Sequence, residues 1–456
     1  MSAALVVGGG VDALVAAHVL ARSGMRVTLL EEFASPSAAD GWVPDEVARA
    51  VGISDLVLTT PDPWLRAVLP DGGTLELWRD VARSAESIGR ASARDAAQWP
   101  RFCSRMRALA GLLERLYCES PPSLVELRFA LRVRALGRRG MEDLMRTLPM
   151  PAAELLDDWF ECDALKGALG ALAVRDIQQG PRSAGTALRL LHLHAGSPAG
   201  VFRPSGSNFA ERLKALPGVV LRNARVKRVV VRAGRAAAVS LDDGTEIAAQ
   251  LVVSSAPPAR TLVEWIEPGW LDTDLTRALR HVRSRGVAAK VRFELAQPCA
   301  PLTLAPSLDH VERAYDDAKY GRVSQRPCLD LTASSAGAEV HFQYAPYRLA
   351  AGEWTDARRA ALADQAAQLL APHLPTITGR SVAAPPDLET AAGCPQGQPH
   401  HAELALDQAL WMRPLPELAR YRTPIEGLWL CGPAMHPGAG VAGAAGYNCA
   451  RAILRA

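Results

Sequence analysis

The chain has 456 residues, 49% of them hydrophobic and 22% charged, with a net charge of +3. That length is enough for two packed domains, and so small a net charge argues against nucleic acid as a partner. The eight cysteines, at 103, 118, 162, 299, 328, 394, 431 and 449, form no CxxC pair and no zinc-like spacing with histidine. They read as reduced thiols of a cytoplasmic protein, with no metal site and no disulfide framework.

The chain opens MSAALVVGGGVDALVAAHVLARSGMRVTLLEE. Its apolar stretch follows no basic residues and is broken by three glycines and Asp12, so it reads as neither a signal peptide nor a membrane span. Ala3 to Val7 fits a buried parallel strand. Apolar residues then recur at helical spacing from Leu14 to Arg22, Gly24 ends the helix, and Val27 to Leu30 is a second strand closed by Glu31.

This βαβ unit carries GxGxxA at its turn. Gly8 permits the tight turn, Gly10 lets backbone approach a pyrophosphate, and Ala13 is the small residue needed where helix meets strand. The helix N-terminus directs unpaired N–H groups at the phosphates. Glu31 stands 21 residues after Gly10, where an acid accepts from a ribose hydroxyl. Between Val27 and Ala48 there is no lysine or arginine, whereas Glu31, Glu32, Asp40, Asp45 and Glu46 all lie there. The phosphate site therefore lacks a cation close in sequence.

VLPDGGTLELW (68–78) reads as a hairpin around Asp-Gly, and residues 80 to 190 as mostly helical. LVELRFALRVRALGRR (124–139) is basic and amphipathic, and two readings fit it: a helix resting on a membrane surface, or a solvated face of the substrate domain. His192 and His194 are two residues apart on a helix and share no face, which argues against a metal site. From Val219 the chain is strand-rich, with turns at Gly234 and Asp243-Gly244, and reads as a meander returning to LVVSSA (251–256). Helices and strands alternate from 257 to 410, and ARRAALADQAAQLLAPHL (357–374) is an amphipathic helix. The tail GLWLCGPAMHPGAGVAGAAGYNCARAILRA is a strand, a glycine-rich turn and a small-residue helix.

That tail, with LLDDWFECDALKGALGALAV (155–174), GPRSAGTALRLLHLHAG (180–196) and FRPSGSNFAERL (202–213), resembles the phytoene desaturase-like branch of the amine-oxidase-type FAD fold. The nearest branch is that of the pyridine nucleotide-disulphide oxidoreductase domain proteins. The resemblance implies an α/β fold with a discontinuous Rossmann-like FAD-binding domain, a parallel sheet with helices plus a β-meander, and an α+β substrate domain with an apolar channel. The expected divisions are 1–65, 196–257 and 416–456 for the nucleotide domain, and 66–195 and 258–415 for the substrate domain. Carried over residue by residue, Gly8, Gly10 and Ala13 would meet the pyrophosphate of FAD. Glu31 would meet the adenosine ribose, and the Val226 backbone the adenine. Gly432, Gly440 and Val441 would lie along the ribityl chain and flavin ring. His436 is the one titratable side chain beside that turn, as a proton donor or as a residue that fixes the loop.

The departures from the family cluster at the flavin. The loop after Glu31 is shortened and has lost its glycine pair and cation, and FRPSGSNF has Ser205-Gly206 for a glycine pair. Three expectations follow. The first is an FAD-dependent dehydrogenase, desaturase or isomerase of a hydrophobic small molecule. The second is a non-catalytic subunit that keeps the fold and forms an oligomer with a complete flavoprotein paralogue. The third is a lipid- or isoprenoid-binding module that docks peripherally on a membrane through 124–139.

Overall fold

The computed structural model describes residues 3–33, 41–58, 61–121, 137–203, 206–334 and 337–456. The shortened loop at 34–40, the basic stretch 124–136 and Ser205 lie outside the described residues.

Strand β1 (Ala3–Val7) is buried from Ala4 onward because it has a neighbour on each side. It pairs in parallel with β2 (Arg26–Glu31), Val6 opposite Leu29, and with Val252–Ser254, Val6 opposite Val253. Leu428–Leu430 and Val219–Asn223 complete a five-stranded parallel sheet, in the order 428–430, 252–254, 3–7, 26–31, 219–223. Five strands drawn from four distant stretches of sequence thus share one edge, where their C-terminal ends converge.

Helix α1 (Val11–Arg22) is buried along almost its whole length, Ala13 through Leu20. A helix that is apolar all round must be covered on more than one side. The sheet covers one face and the terminal helix Ala444–Ile453 another. Close approach is possible because a Cβ on Gly446 would run into the Asp12 carbonyl. Val219–Asn223 belongs to this sheet, and the meander proper is Val226–Arg232, Arg235–Leu241 and Glu246–Ala248. Its first turn is Ala233-Gly234, both left-handed, the conformation that a two-residue hairpin needs.

The second layer is a seven-stranded sheet in the order 377–383, 288–295, 337–343, 328–334, 302–304, 65–68, 74–77. The hairpin expected near 68–78 is the pair Leu65–Val68 and Thr74–Leu77 at its edge. Helix Asp356–Leu370 lays Leu362, Ala363, Ala366 and Leu370 on this sheet. Helices Ala93–Tyr117, Asp163–Ala173 and Thr186–His194 share one apolar core with the nucleotide sheet and with the 65–77 hairpin. All eight cysteines are free thiols. Among the described residues no helix is long and apolar enough to cross a membrane.

Candidate functional site

Gly8, Glu31 and the tail turn meet at the C-terminal edge of the parallel sheet. Gly8 has φ +119°, its N–H donates to the Leu30 carbonyl (2.8 Å), and a Cβ there would collide with the Ser255 side chain. Only glycine serves at that position. Gly10 caps α1 in extended conformation, and a Cβ built on it meets nothing within 4 Å. The helix start, with the N–H groups of its first turn, therefore faces open space. Ala13 is fully buried.

Glu31 ends β2 and folds its carboxylate back over the turn, 2.6 Å from where a Cβ of Gly9 would be. Lys214 reaches Glu31 Oε1 at 2.9 Å, and Arg260 reaches Glu32 Oε1 at 2.5 Å. Cations missing from 27–48 in sequence are thus supplied in space by the helix Phe209–Ala215 and by the segment after Ser254. Burial raises the Glu32 carboxyl, against the pull of Arg260. Val226 opens the meander, buried and opposite Leu241.

At the other end of the edge, Gly432 follows strand Leu428–Leu430 and lies against the Ser255 backbone, leaving no room for a Cβ. Gly440 has φ +100°. Its carbonyl accepts from Trp42 N–H (3.0 Å), and the Trp42 carbonyl accepts from Ala442 N–H (2.8 Å), bracketing buried Val441. Asp12, in the first turn of α1, accepts from Gly446 N–H (3.4 Å) at the start of the terminal helix, and burial pushes its carboxyl up to about 7.

His192 touches the same turn. Its Nε2 lies 2.8 Å from the Ala439 carbonyl, and its Nδ1 lies 2.8 Å from the Tyr117 hydroxyl. A carbonyl only accepts, so Nε2 carries the proton and Nδ1 accepts from Tyr117. Burial, with Arg189 nearby, pulls the His192 pKa down to about 3. His194 faces elsewhere, toward the Val201 carbonyl (2.6 Å). His436 is buried, with Nε2 directed at the Leu116 carbonyl (3.0 Å) on the long helix Ala93–Tyr117, and burial lowers it to about 4.

These contacts determine what the edge can hold. The open Gly10 face, the start of α1 and the carboxylate over Gly9 fit the adenosine and phosphate end of FAD. At the ring end the turn is already braced by Trp42 and His192, so its glycines are accounted for by the packing of the chain itself.

The flavin containing amine oxidoreductase model matches residues 43–454. The chain belongs to that family. Its match starts just past the glycine turn and Glu31, so the local geometry at the nucleotide end is independent support. Across its whole length this family member is also similar to pyridine nucleotide-disulfide oxidoreductase domain-containing protein 2 of Rattus norvegicus, at 28% identity over 99% of this chain and 93% of the relative. It is similar to hydroxyneurosporene desaturase of Cereibacter sphaeroides, also at 28%, over 99% of this chain and 97% of that one. The alignment with the rat protein runs to 542 positions against 456 residues here, so that relative carries insertions this chain lacks. Among solved structures, a redesigned putrescine oxidase shares the fold, with a TM-score of 0.61 at 14% identity over 100% of this chain and 99% of that one.

Three groups that the sequence reading passed over, Arg413, Asp176 and Arg189, also converge here. Arg413 is fully buried and donates to six backbone carbonyls, of His400, Ala402, Glu403, Gln408, Pro433 and Met435. Asp176, left-handed at φ +60°, sits between His341 Nε2 (3.8 Å) and His400 Nε2 (4.0 Å). Arg189 lies on helix Thr186–His194, one turn before His192.

Proposed function

We propose that this chain is an FAD-dependent oxidoreductase, of dehydrogenase, desaturase or isomerase type, acting on a hydrophobic substrate. The observation that carries this reading is the open helix start at Gly10 with the Glu31 carboxylate folded over the same turn. Bound there, FAD would supply the hydride- and electron-accepting chemistry, for which this fold needs no protein nucleophile.

The residues of the chain bind and orient. The first-turn N–H groups of α1 would take the pyrophosphate, and Glu31 would accept from the ribose. The Val226 backbone would meet the adenine, and Gly432, Gly440 and Val441 would line the ribityl and ring end. His192, neutral and bonded at both nitrogens, positions the turn and carries no mobile proton. His436, neutral and bonded to Leu116, ties the same turn to the helix Ala93–Tyr117. Support for an apolar substrate comes from the likeness to a hydroxyneurosporene desaturase.

A second reading is a non-catalytic subunit that pairs with a complete flavoprotein. What favours it is Trp42, whose backbone already occupies the Gly440 carbonyl and the Ala442 N–H beside the ring position. One experiment separates the two: the visible spectrum of the purified protein before and after FAD is added, followed by gel filtration. Flavin bands that stay with the protein support the oxidoreductase. A colourless protein that takes up no FAD overturns it, and a stable complex with a flavoprotein paralogue would then support the second reading.

A further inference from the structure

Two buried arginines, Arg189 and Arg413, lie next to the tail turn. Arg175 and Arg203 share Asp330, each at 2.6 Å, and Asp330 is held well below the usual carboxylate range by them. Asp176 lies 3.7 Å from Arg175. Arg189 and Arg413, both 2% exposed or less, have no carboxylate within ion-pair distance among the described residues; Asp176 attracts Arg189 and Asp12 attracts Arg413 from farther off. Arg413 is compensated by its six carbonyls. Arg189 has one carbonyl, that of Arg175 (3.1 Å), and the ring of His400 (3.4 Å).

The protons at that contact are determined. Arginine only donates, so His400 Nε2 accepts and the His400 proton is on Nδ1. Burial and the neighbouring arginines keep His400 neutral. Two buried N–H donors, Arg189 Nε–H and His400 Nδ1–H, then lack any acceptor. A buried donor without an acceptor costs about 1–3 kcal/mol, more when it is charged, and calls for an explanation. Asp176 and His401, both left-handed, adjoin the same spot. Such backbone collects at functional sites.

We infer that Arg189, with His400, binds an anionic head group on the substrate, a carboxylate on an apolar chain. Arg189 is one helical turn, about 5 Å, from His192, and His192 bonds the Ala439 carbonyl of the tail turn. A carboxylate held by Arg189 would lie on the same side of the helix as that contact. This names the substrate class of the site proposed above and rests on that reading for its chemistry, but not for its binding.

The test is calorimetric titration with dodecanoate and with 1-dodecanol, on FAD-free and on FAD-treated protein. Dodecanoate should bind about tenfold or more tighter than the alcohol, since the difference is one charge-assisted pair. Arg189→Met should erase that preference; it also leaves the Arg175 carbonyl and His400 Nε2 without a donor, so a lower thermal midpoint is expected on either reading. Arg189→Lys should keep part of the preference. A merely structural arginine would leave the preference alone in both variants. Equal binding of acid and alcohol, or no binding of dodecanoate, overturns the inference, and this comparison on the unmodified protein stands even where the methionine variant fails to fold. Carboxylate preference without FAD uptake keeps the inference and sinks the oxidoreductase reading; FAD uptake without carboxylate preference does the reverse.

Discussion

Tyr117 and His192, 75 residues apart, share one buried hydrogen bond of 2.8 Å, and through it the long helix Ala93–Tyr117 fixes the tail turn. The imidazole relays the contact: hydroxyl to Nδ1, then Nε2–H to the Ala439 carbonyl. Tyr117→Phe leaves Nδ1 buried and without a donor. It should cost about 1–3 kcal/mol, read as a lower urea midpoint with unchanged slope. An unchanged midpoint would mean that the ring is not held from that side.

The same burial gives the fold a pH dependence. His192 is lowered to about 3, and His194, His341 and His436 to about 4, each chiefly by desolvation. A histidine lowered in the folded state binds its proton more readily when unfolded. Its stability is complete above about pH 6.5 and is lost as the pH falls toward the folded value. Asp12, raised to about 7, has the opposite sign: its stability is present in acid and fades as the pH rises through 7. His401 is also lowered to about 3, and Glu32 and Glu403 are raised like Asp12; the lowered histidines outnumber the raised carboxyls, so the thermal midpoint should fall from pH 7 to pH 5. A midpoint that rises on acidification would show that the raised carboxyls dominate.

Two glycines of the edge have opposite tasks. At Gly446 a Cβ would strike the Asp12 carbonyl, and backbone cannot yield as a side chain can. Gly446→Ala should therefore cost about 1–3 kcal/mol or more and loosen the packing of α1 on the terminal helix. At Gly10 a Cβ meets nothing. Gly10→Ala should leave the ligand-free protein within about 1 kcal/mol of normal and weaken binding of ADP and FAD alike, measured by titration. Undiminished ADP binding in that variant would move the phosphate away from the helix start.

What could be read from the sequence was what is local. Glycine spacing, strand length and helical period revealed β1, α1, β2, the Asp-Gly hairpin and the tail, because each is decided by neighbours a few residues apart. The absence of lysine and arginine from 27–48 was also legible, yet Lys214 stands beside Glu31 from 183 residues away, and no local pattern announces that. Arg189 offered a faint signal, a charge inside the leucine-rich run TALRLLHLH. Its partners at 175 and 400 come from other elements, so its burial and missing acceptor are properties of the fold.

Glu31, proposed above as the ribose acceptor, pairs with Lys214, whose side chain is 43% exposed. So exposed a pair contributes little to folding. Glu31→Gln should therefore leave the thermal midpoint nearly unchanged and weaken ADP and FAD by about tenfold or more, the loss of a hydrogen bond to a charged acceptor. ADP binding that is indifferent to this change would remove Glu31 from the site.

Arg413 gathers two loops at once. Its Nη1 and Nη2 hold carbonyls of the 400–408 stretch, while Nη2 and Nε also hold Pro433 (2.6 Å) and Met435 (3.3 Å) of the tail turn. A planar fork with five donors can serve six acceptors spread around it; an ammonium with three donors at one point cannot. Arg413→Lys should therefore fail to rescue the loss in Arg413→Met. Both should destabilise by about 3–5 kcal/mol, since buried carbonyls are left unpaired. Because Pro433 and Met435 lead directly into Gly438 and Gly440, partial unfolding should begin in the tail turn, read as faster amide exchange at 433–442 before the rest of the nucleotide sheet. A lysine variant as stable as the natural protein, with exchange at 433–442 unchanged, would show that the carbonyls are satisfied by other means and that the turn does not depend on this side chain.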